Sequence, residues 1–167
     1  VVLSQIAGYA AFLAGRHVQV FPEFGVERRG APVRAFLRVA DAPIRIRSAI
    51  QSPAMIVVLD PILLGQDETW AGTGGATTVL FNSRGRRWTL PAKHGRTWSV
   101  DAMAIALRNG LGTATTPIVN TAMAGAFAKA TGLVSMEHLA KAIERYSPAK
   151  PAENVKAARE AYEETSS

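Results

Sequence analysis

Residues 55–60 read MIVVLD, five apolar residues without a polar interruption, closed by an acid and Pro61. A strand with one face in water alternates apolar and polar residues. A short continuous apolar run that ends in an Asp-Pro turn is instead the pattern of a strand covered on both faces. The segment is therefore expected as a central buried strand, which sets this chain apart from an all-helical bundle.

On its N-terminal side, residues 33–39 alternate strictly, with Val33, Ala35, Leu37 and Val39 against Arg34, Phe36 and Arg38. After Asp41-Ala42-Pro43 the alternation resumes, Ile44 and Ile46 against Arg45 and Arg47, which predicts a hairpin with one core face and four arginines on the other. Further upstream, HVQVFPEF (17–24) reads as a strand, and residues 1–16 as a helix with Leu3, Ile6, Tyr9 or Ala10, and Leu13 at helical spacing and Gly15 as its stop. On the C-terminal side, TTVLFNS (77–83), WTLP (88–91) and TWSV (97–100) are strand candidates. Helices are expected over 101–108, from Pro117 to Gly132, from the cap Ser135 to Tyr146, and from Pro151 to about Glu164. The fold class that follows is α/β: one domain over residues 1–167, a mixed β-sheet flanked by helices, with an antiparallel Arg-rich hairpin.

The 167 residues contain no cysteine, which excludes disulfides, thiolate metal sites and a cysteine nucleophile from this chain and fits a reducing cytoplasm. No apolar run approaches the roughly 20 residues that cross a bilayer. Nineteen Lys and Arg oppose thirteen Asp and Glu, a net charge of +6. Fourteen of those cations are Arg, concentrated over 16–47 and 84–108. Guanidinium pairs two-pronged with carboxylates and phosphates, so an anionic ligand or an interface is expected.

Few residues carry the pattern of autonomous chemistry. His17, His94 and His138 are scattered without a second ligand at metal spacing, and no G-x-S-x-G occurs. Asp60 follows the buried strand, where α/β proteins place functional carboxylates, yet Asp-Pro also simply opens a turn. GTGGAT (72–77) lacks the Lys-Ser/Thr ending of a phosphate loop and leads into a strand, so it reads as a turn. Trp88 lies within the basic stretch RGRRWTLPAKHGR (84–96) and Trp98 just after it, an arrangement that a nucleic-acid-binding module would also show.

The most informative stretch is FPEFGVERRGAPV (21–33). Glu27, Arg28 and Arg29 stand consecutively between Gly25 and Gly30, so a carboxylate and two guanidiniums share one bent segment. An exposed Glu–Arg pair contributes only about 0–1 kcal/mol to stability. Buried against another chain, loss of one partner costs about 3–5 kcal/mol.

AGRHVQVFPEFGVERRGAPVRAFLRVADAPIRIRS closely resembles the gamma subunit, or gamma domain, of the pyruvate:ferredoxin oxidoreductase family of 2-oxoacid oxidoreductases, in which the Phe-Pro-x-Phe-Gly-x-Glu-Arg-Arg-Gly-Ala-Pro-Val loop is characteristic. IVVLDPILL, TPIVNTAMAGAFAKATGLVSMEHLAKAI and ENVKAAREAYEE extend the resemblance over nearly the whole chain. Family members begin with a strand and a turn of the type Gly-x-Gly-Gly-Gln-Gly directly before the helix that here starts at Val1, and such a stretch is expected upstream.

The resemblance implies a non-catalytic subunit of an enzyme that converts a 2-oxo acid and coenzyme A to acyl-CoA, CO2 and two electrons. Thiamine diphosphate with Mg2+ and 4Fe–4S clusters would be held by partner subunits, and the electrons passed to ferredoxin, or to NAD through an added FAD-bearing subunit. No metal or cofactor would be bound by this chain alone, and neither nucleic acid nor a membrane is expected as partner. By the same resemblance, Phe24, Gly25, Glu27, Arg28, Arg29, Gly30, Arg45 and Arg47 would contact other chains, and Arg28 and Arg29 would border the coenzyme A approach. Gly25, Gly30 and Pro32 would shape the loop, with Phe21 and Phe24 packed at its base. Pyruvate, a branched-chain acid and an aryl glyoxylate all remain open as substrates. A basic nucleic-acid-binding module and a stand-alone domain for coenzyme A or nucleotides are the alternatives that composition leaves.

Overall fold

The computed structural model describes residues 1–23, 33–91 and 94–167. Helix α1 (Val2–Leu13) opens the chain and ends before Gly15, whose φ of +81° is the left-handed conformation that lets the chain turn away. Strand β1 (His17–Glu23) follows and pairs antiparallel with β2 (Arg34–Ala40), Val18 opposite Val39 and Phe21 opposite Phe36. Val18, Val20, Leu37 and Val39 share one face by the two-residue period. They approach α1 at Gly8, where an added Cβ would lie 2.5 Å from the Val20 side chain and 3.4 Å from that of Leu37.

The hairpin is thus Arg-rich and antiparallel as expected, but its strands are not those the alternation suggested. The partner of β2 is β1, and residues 44–47 form no strand. Alternation specifies a face and never a partner. The seven-residue match with β1 prevails, while Pro43 cannot donate to a ladder beyond the bend.

A second, parallel sheet has the order β3-β4-β5, from β3 (Met55–Val58), β4 (Thr78–Asn82) and β5 (Thr97–Val100). Among the described residues the middle strand is therefore β4, not the MIVVLD segment. WTLP forms no strand: the Trp88 indole donates to the Ser83 carbonyl at 2.8 Å, and Trp88 and Leu90 pack on the sheet as side chains.

Four helices complete the chain, each with a terminus that its sequence explains. Asp101 accepts from the Ala104 N–H at 2.9 Å and caps α2 (Ala102–Arg108), and Ser135 accepts from His138 N–H at 3.2 Å and caps α4 (Met136–Tyr146). Helix α3 (Asn120–Thr131) starts three residues after Pro117 and stops at left-handed Gly132, and α5 (Pro151–Glu164) begins on its proline.

Both faces of the parallel sheet are covered. Leu80 and Val100 join Ile6, Ile105, Met123 and Ile143 in the helix-side core. Val58, Val79 and Phe81 sit on the opposite face beneath Leu64, Trp70, Trp88 and Leu90, with short 3-10 helices at Pro61–Gly65 and Asp67–Trp70. Each such side chain contributes about 1.5–3 kcal/mol relative to exposure.

Candidate functional site

The hairpin face turned away from α1 carries Gln19, Phe21 and Glu23 opposite Arg38, Phe36 and Arg34. Phe21 and Phe36 pack with ring centroids 5.1 Å apart and their planes tilted by 34°, which makes Phe21 a packing residue near the end of β1. Arg38 lies over the Phe21 ring at 5.7 Å and donates to Gln19 Oε1 at 2.7 Å and to the Ser48 carbonyl at 2.6 Å. Arg34 pairs with Glu23 at 3.5 Å, so the two strand ends that flank residues 24–33 are held together.

Two of the four arginines read from the alternation, Arg34 and Arg38, are therefore committed within the hairpin. Arg45 and Arg47 are not on a strand face; they are exposed on the segment after the bend and pair with no acid among the described residues. Arg47 lines a cleft of about 640 Å3 together with His17, Gln19, Phe21 and Pro43. Arg45 borders a longer groove of about 1630 Å3 between the hairpin and β3. Phe24, Gly25, Glu27, Arg28, Arg29, Gly30 and Pro32 lie outside the described residues.

Other residues singled out by sequence have structural partners. Asp60 accepts from Ile62 N–H at 3.2 Å, opening a 3-10 helix, and pairs with Arg84 at 3.4 Å. Gly72 has φ of +75° and a Cβ there would strike the Gln51 carbonyl, while Thr77 bonds Pro53 O and Gly74 N, both at 3.0 Å; the Gly-rich stretch is a tied turn into β4. His94 packs beside Trp70 at 5.7 Å and bonds Thr97 Oγ1 at 3.0 Å. His17 is exposed at the start of β1, and His138 belongs to the first turn of α4. Among the described residues no three or more His, Asp or Glu cluster as metal ligands. Trp88 and Trp98 are half-buried: Trp88 packs on the sheet, and the Arg96 guanidinium lies over the Trp98 ring at 5.6 Å.

Sequence reasoning missed Asn82. Its side chain is buried at the end of β4, where Nδ2 donates to Leu59 O at 3.2 Å and Oδ1 accepts from Ala102 N at 3.1 Å and Arg84 N at 3.3 Å. One amide thus ties the end of β4 to the residue that follows β3 and to the first residue of α2, and its only sequence signal was a polar residue ending an apolar run. A second missed group joins α2 to α5. Arg108 donates to Glu160 at 2.7 Å and also pairs with Glu164, while Asn109 donates to Glu160 at 2.9 Å. Partial burial pushes the Glu160 carboxyl up, but the hydrogen bonds from Arg108 and Asn109, with the charges of Arg108 and Lys156, outweigh it and hold the group below its usual range.

No helix among the described residues is long and apolar enough to cross a membrane. Comparison with known proteins adds the lineage. The chain is 46% identical over 171 residues to the pyruvate/ketoisovalerate oxidoreductases common subunit gamma of Thermococcus kodakarensis, spanning 99% of this chain and 90% of that protein. It is 45% identical over 164 residues to pyruvate synthase subunit PorC of Methanothermobacter marburgensis, spanning 98% and 89% of the two. The crystal structure of pyruvate oxidoreductase subunit PORC from Thermotoga maritima superimposes with a TM-score of 0.80 at 33% identity, covering 98% of this chain and 88% of that one. The family model described as pyruvate ferredoxin/flavodoxin oxidoreductase matches residues 1–164. The chain belongs to the pyruvate ferredoxin/flavodoxin oxidoreductase family, and within it to the gamma-subunit type.

Proposed function

We propose that this chain is a non-catalytic subunit of a cytoplasmic, thiamine diphosphate-dependent 2-oxoacid oxidoreductase, contributing assembly and the positioning of coenzyme A. The observation that carries the reading is the 46% identity to a gamma subunit named as common to pyruvate and ketoisovalerate oxidoreductases. A chain shared by enzymes for a linear and a branched acid serves a step that does not depend on the acid's side chain. Coenzyme A is such a shared reactant.

The residues fit that reactant. Arg45 and Arg47 are cations without an acidic partner among the described residues, and Arg47 lies beside a cleft with an aromatic wall at Phe21. Diphosphate and 3′-phosphate groups accept charge-assisted hydrogen bonds, about twice as strong as neutral ones, from such guanidiniums. Arg38 fastens the 48–49 segment to β1 beside the cleft, and contacts of Glu27, Arg28 and Arg29 with partner chains belong to the same proposal.

The thiamine and iron–sulfur partner subunits supply decarboxylation and electron transfer to ferredoxin or NAD. This chain's arginines bind, orient and neutralise. The test is Arg28→Ala in the assembled enzyme: a lower yield of complex or a higher coenzyme A requirement supports the reading, and unchanged assembly with unchanged kinetics removes it. Gentle purification of the subunit from its native source should bring thiamine-binding and cysteine-rich partners with an iron–sulfur absorption band.

A further inference from the structure

Helix α1 buries Leu3, Ile6 and Ala10, yet it leaves Phe12 of its last turn 61% exposed. Phe12 stacks on Tyr9 with ring centroids 6.1 Å apart, and Tyr9 meets Tyr146 of α4 edge-on at 5.8 Å. Arg145 lies across the same rings. Its guanidinium carbon is 4.7 Å from the Tyr9 ring centre and 5.8 Å from that of Tyr146. Three aromatic rings and one guanidinium thus form a single surface cluster at the C-terminal turns of two helices.

A cation in the last turn of a helix complements the helix dipole, but that role asks for no aromatic platform. Arg145 reaches the Tyr9 hydroxyl only at 3.5 Å and pairs with no acid among the described residues. Other cations of the same two helices are committed, Lys141 to Glu137 at 2.8 Å and Arg16, just after α1, to Asp41 at 3.0 Å. A guanidinium seated over aromatic rings keeps its N–H groups for an acceptor, and a carboxylate takes two of them at once. One uncommitted cation suits one carboxylate and not the repeated charges of a phosphate backbone. Tyr and Arg dominate the centres of protein interfaces, and a guanidinium already seated loses less freedom on binding. A second copy of this chain would bring like against like at a net charge of +6, so the complementary surface is an acidic one.

We propose that Tyr9, Phe12, Arg145 and Tyr146 are the centre of an interface with a partner subunit of the enzyme, in which Arg145 takes an Asp or Glu side chain of that subunit and an adjoining apolar side chain covers Phe12. This interface rests on the multi-subunit reading above. None of its residues belongs to the 21–33 motif or to the arginines assigned to coenzyme A.

Photo-crosslinking in the assembled enzyme tests this, with Phe12→p-benzoylphenylalanine as the probe and mass spectrometry of the captured peptide. The expected capture is a partner-subunit peptide that contains Asp or Glu. Phe12→Ala and Arg145→Ala should each raise the dissociation constant of this subunit from the enzyme about tenfold or more, and Arg145→Lys should recover little of the loss. Lys141→Ala removes an equal charge from the same helix and should change that constant less than about twofold. Capture of a second copy of this chain, of a peptide without an acid, or of nothing while the partner subunits are present overturns the interface. So does a loss from Lys141→Ala equal to that from Arg145→Ala. Absence of partner subunits from the purified enzyme would remove the multi-subunit reading itself, and the interface with it.

Discussion

Gly125 of α3 lies so close to the main chain of Ala158 in α5 that a methyl group cannot be placed between them, because a Cβ at 125 would overlap the Ala158 carbonyl oxygen. The flanking Ala122, Ala124, Ala126 and Ala128 are buried as well, so two backbones are packed nearly directly on each other.

Gly125→Ala follows from that contact. Alanine would add about 1 kcal/mol of helix propensity, but overpacking costs about 1–3 kcal/mol or more, and a carbonyl oxygen has no rotamer in which to yield. The expected net loss is roughly 2 kcal/mol, a fall in melting temperature of about 4–8 °C. Adding Ala158→Gly should not rescue it, since the obstacle is backbone. Recovery in the double variant would show that side chains, not main chains, set the spacing.

Asn82→Ala removes the amide that ties the ends of β3, β4 and α2. It strands the buried Ala102 N–H and the Leu59 carbonyl, each costing about 1–3 kcal/mol, so a loss of roughly 2–4 kcal/mol is expected in a denaturant melt. Asn82→Asp keeps the acceptor for Ala102 but sets a carboxylate against the Leu59 oxygen. It should therefore fail to restore stability at neutral pH and recover part of it as the carboxyl protonates at low pH.

Glu160 gives a pH signature. Its folded pKa is depressed, so its contribution is present above the ordinary carboxylate value of about 4.5 and is lost as the pH falls through the lower folded value. Glu160→Gln should lower the melting temperature by roughly 1–3 °C above that pH, the scale of a partly exposed ion pair, and by less in more acidic buffer. A difference that grows on acidification would contradict the Arg108 and Asn109 hydrogen bonds as its cause.

What the sequence disclosed was local. Ser135, Pro151 and Asp101 each mark a helix start through a bond or a ring that belongs to the neighbouring turn, and the structure places α4, α5 and α2 there. Partners were not legible. The alternation of 33–47 showed an Arg-bearing face, but β2 takes β1, and Arg38, read as one of four arginines on that face, spends its guanidinium on Gln19 and Ser48. Asn82 was silent because its partners Leu59 and Ala102 come from two segments that only the fold brings to it. For the site, sequence spacing singled out Arg45 and Arg47, and the fold leaves both exposed and without an acid among the described residues; the Phe21–Val33 motif named the family through resemblance, not through any computable spacing.

Arg47 and Arg38 are separable by experiment, because among the described residues one has no acidic partner and the other is braced. Arg47→Ala removes an exposed cation with no acidic partner among the described residues, so stability should stay within about 0.5 kcal/mol. In the assembled enzyme the same change should raise the KM for coenzyme A several-fold while kcat at saturating coenzyme A is kept, since the lost interaction is made equally in ground and transition states. Arg38→Ala breaks two short hydrogen bonds to a charged donor and frees residues 48–49, costing about 1.5–3 kcal/mol. Arg38→Lys should recover little of that, because one ammonium cannot span Gln19 Oε1 and Ser48 O as the planar guanidinium does. If Arg47→Ala lowers stability as much as Arg38→Ala, or leaves the KM for coenzyme A untouched while Arg45→Ala does the same, the cleft is a structural surface and not a phosphate site.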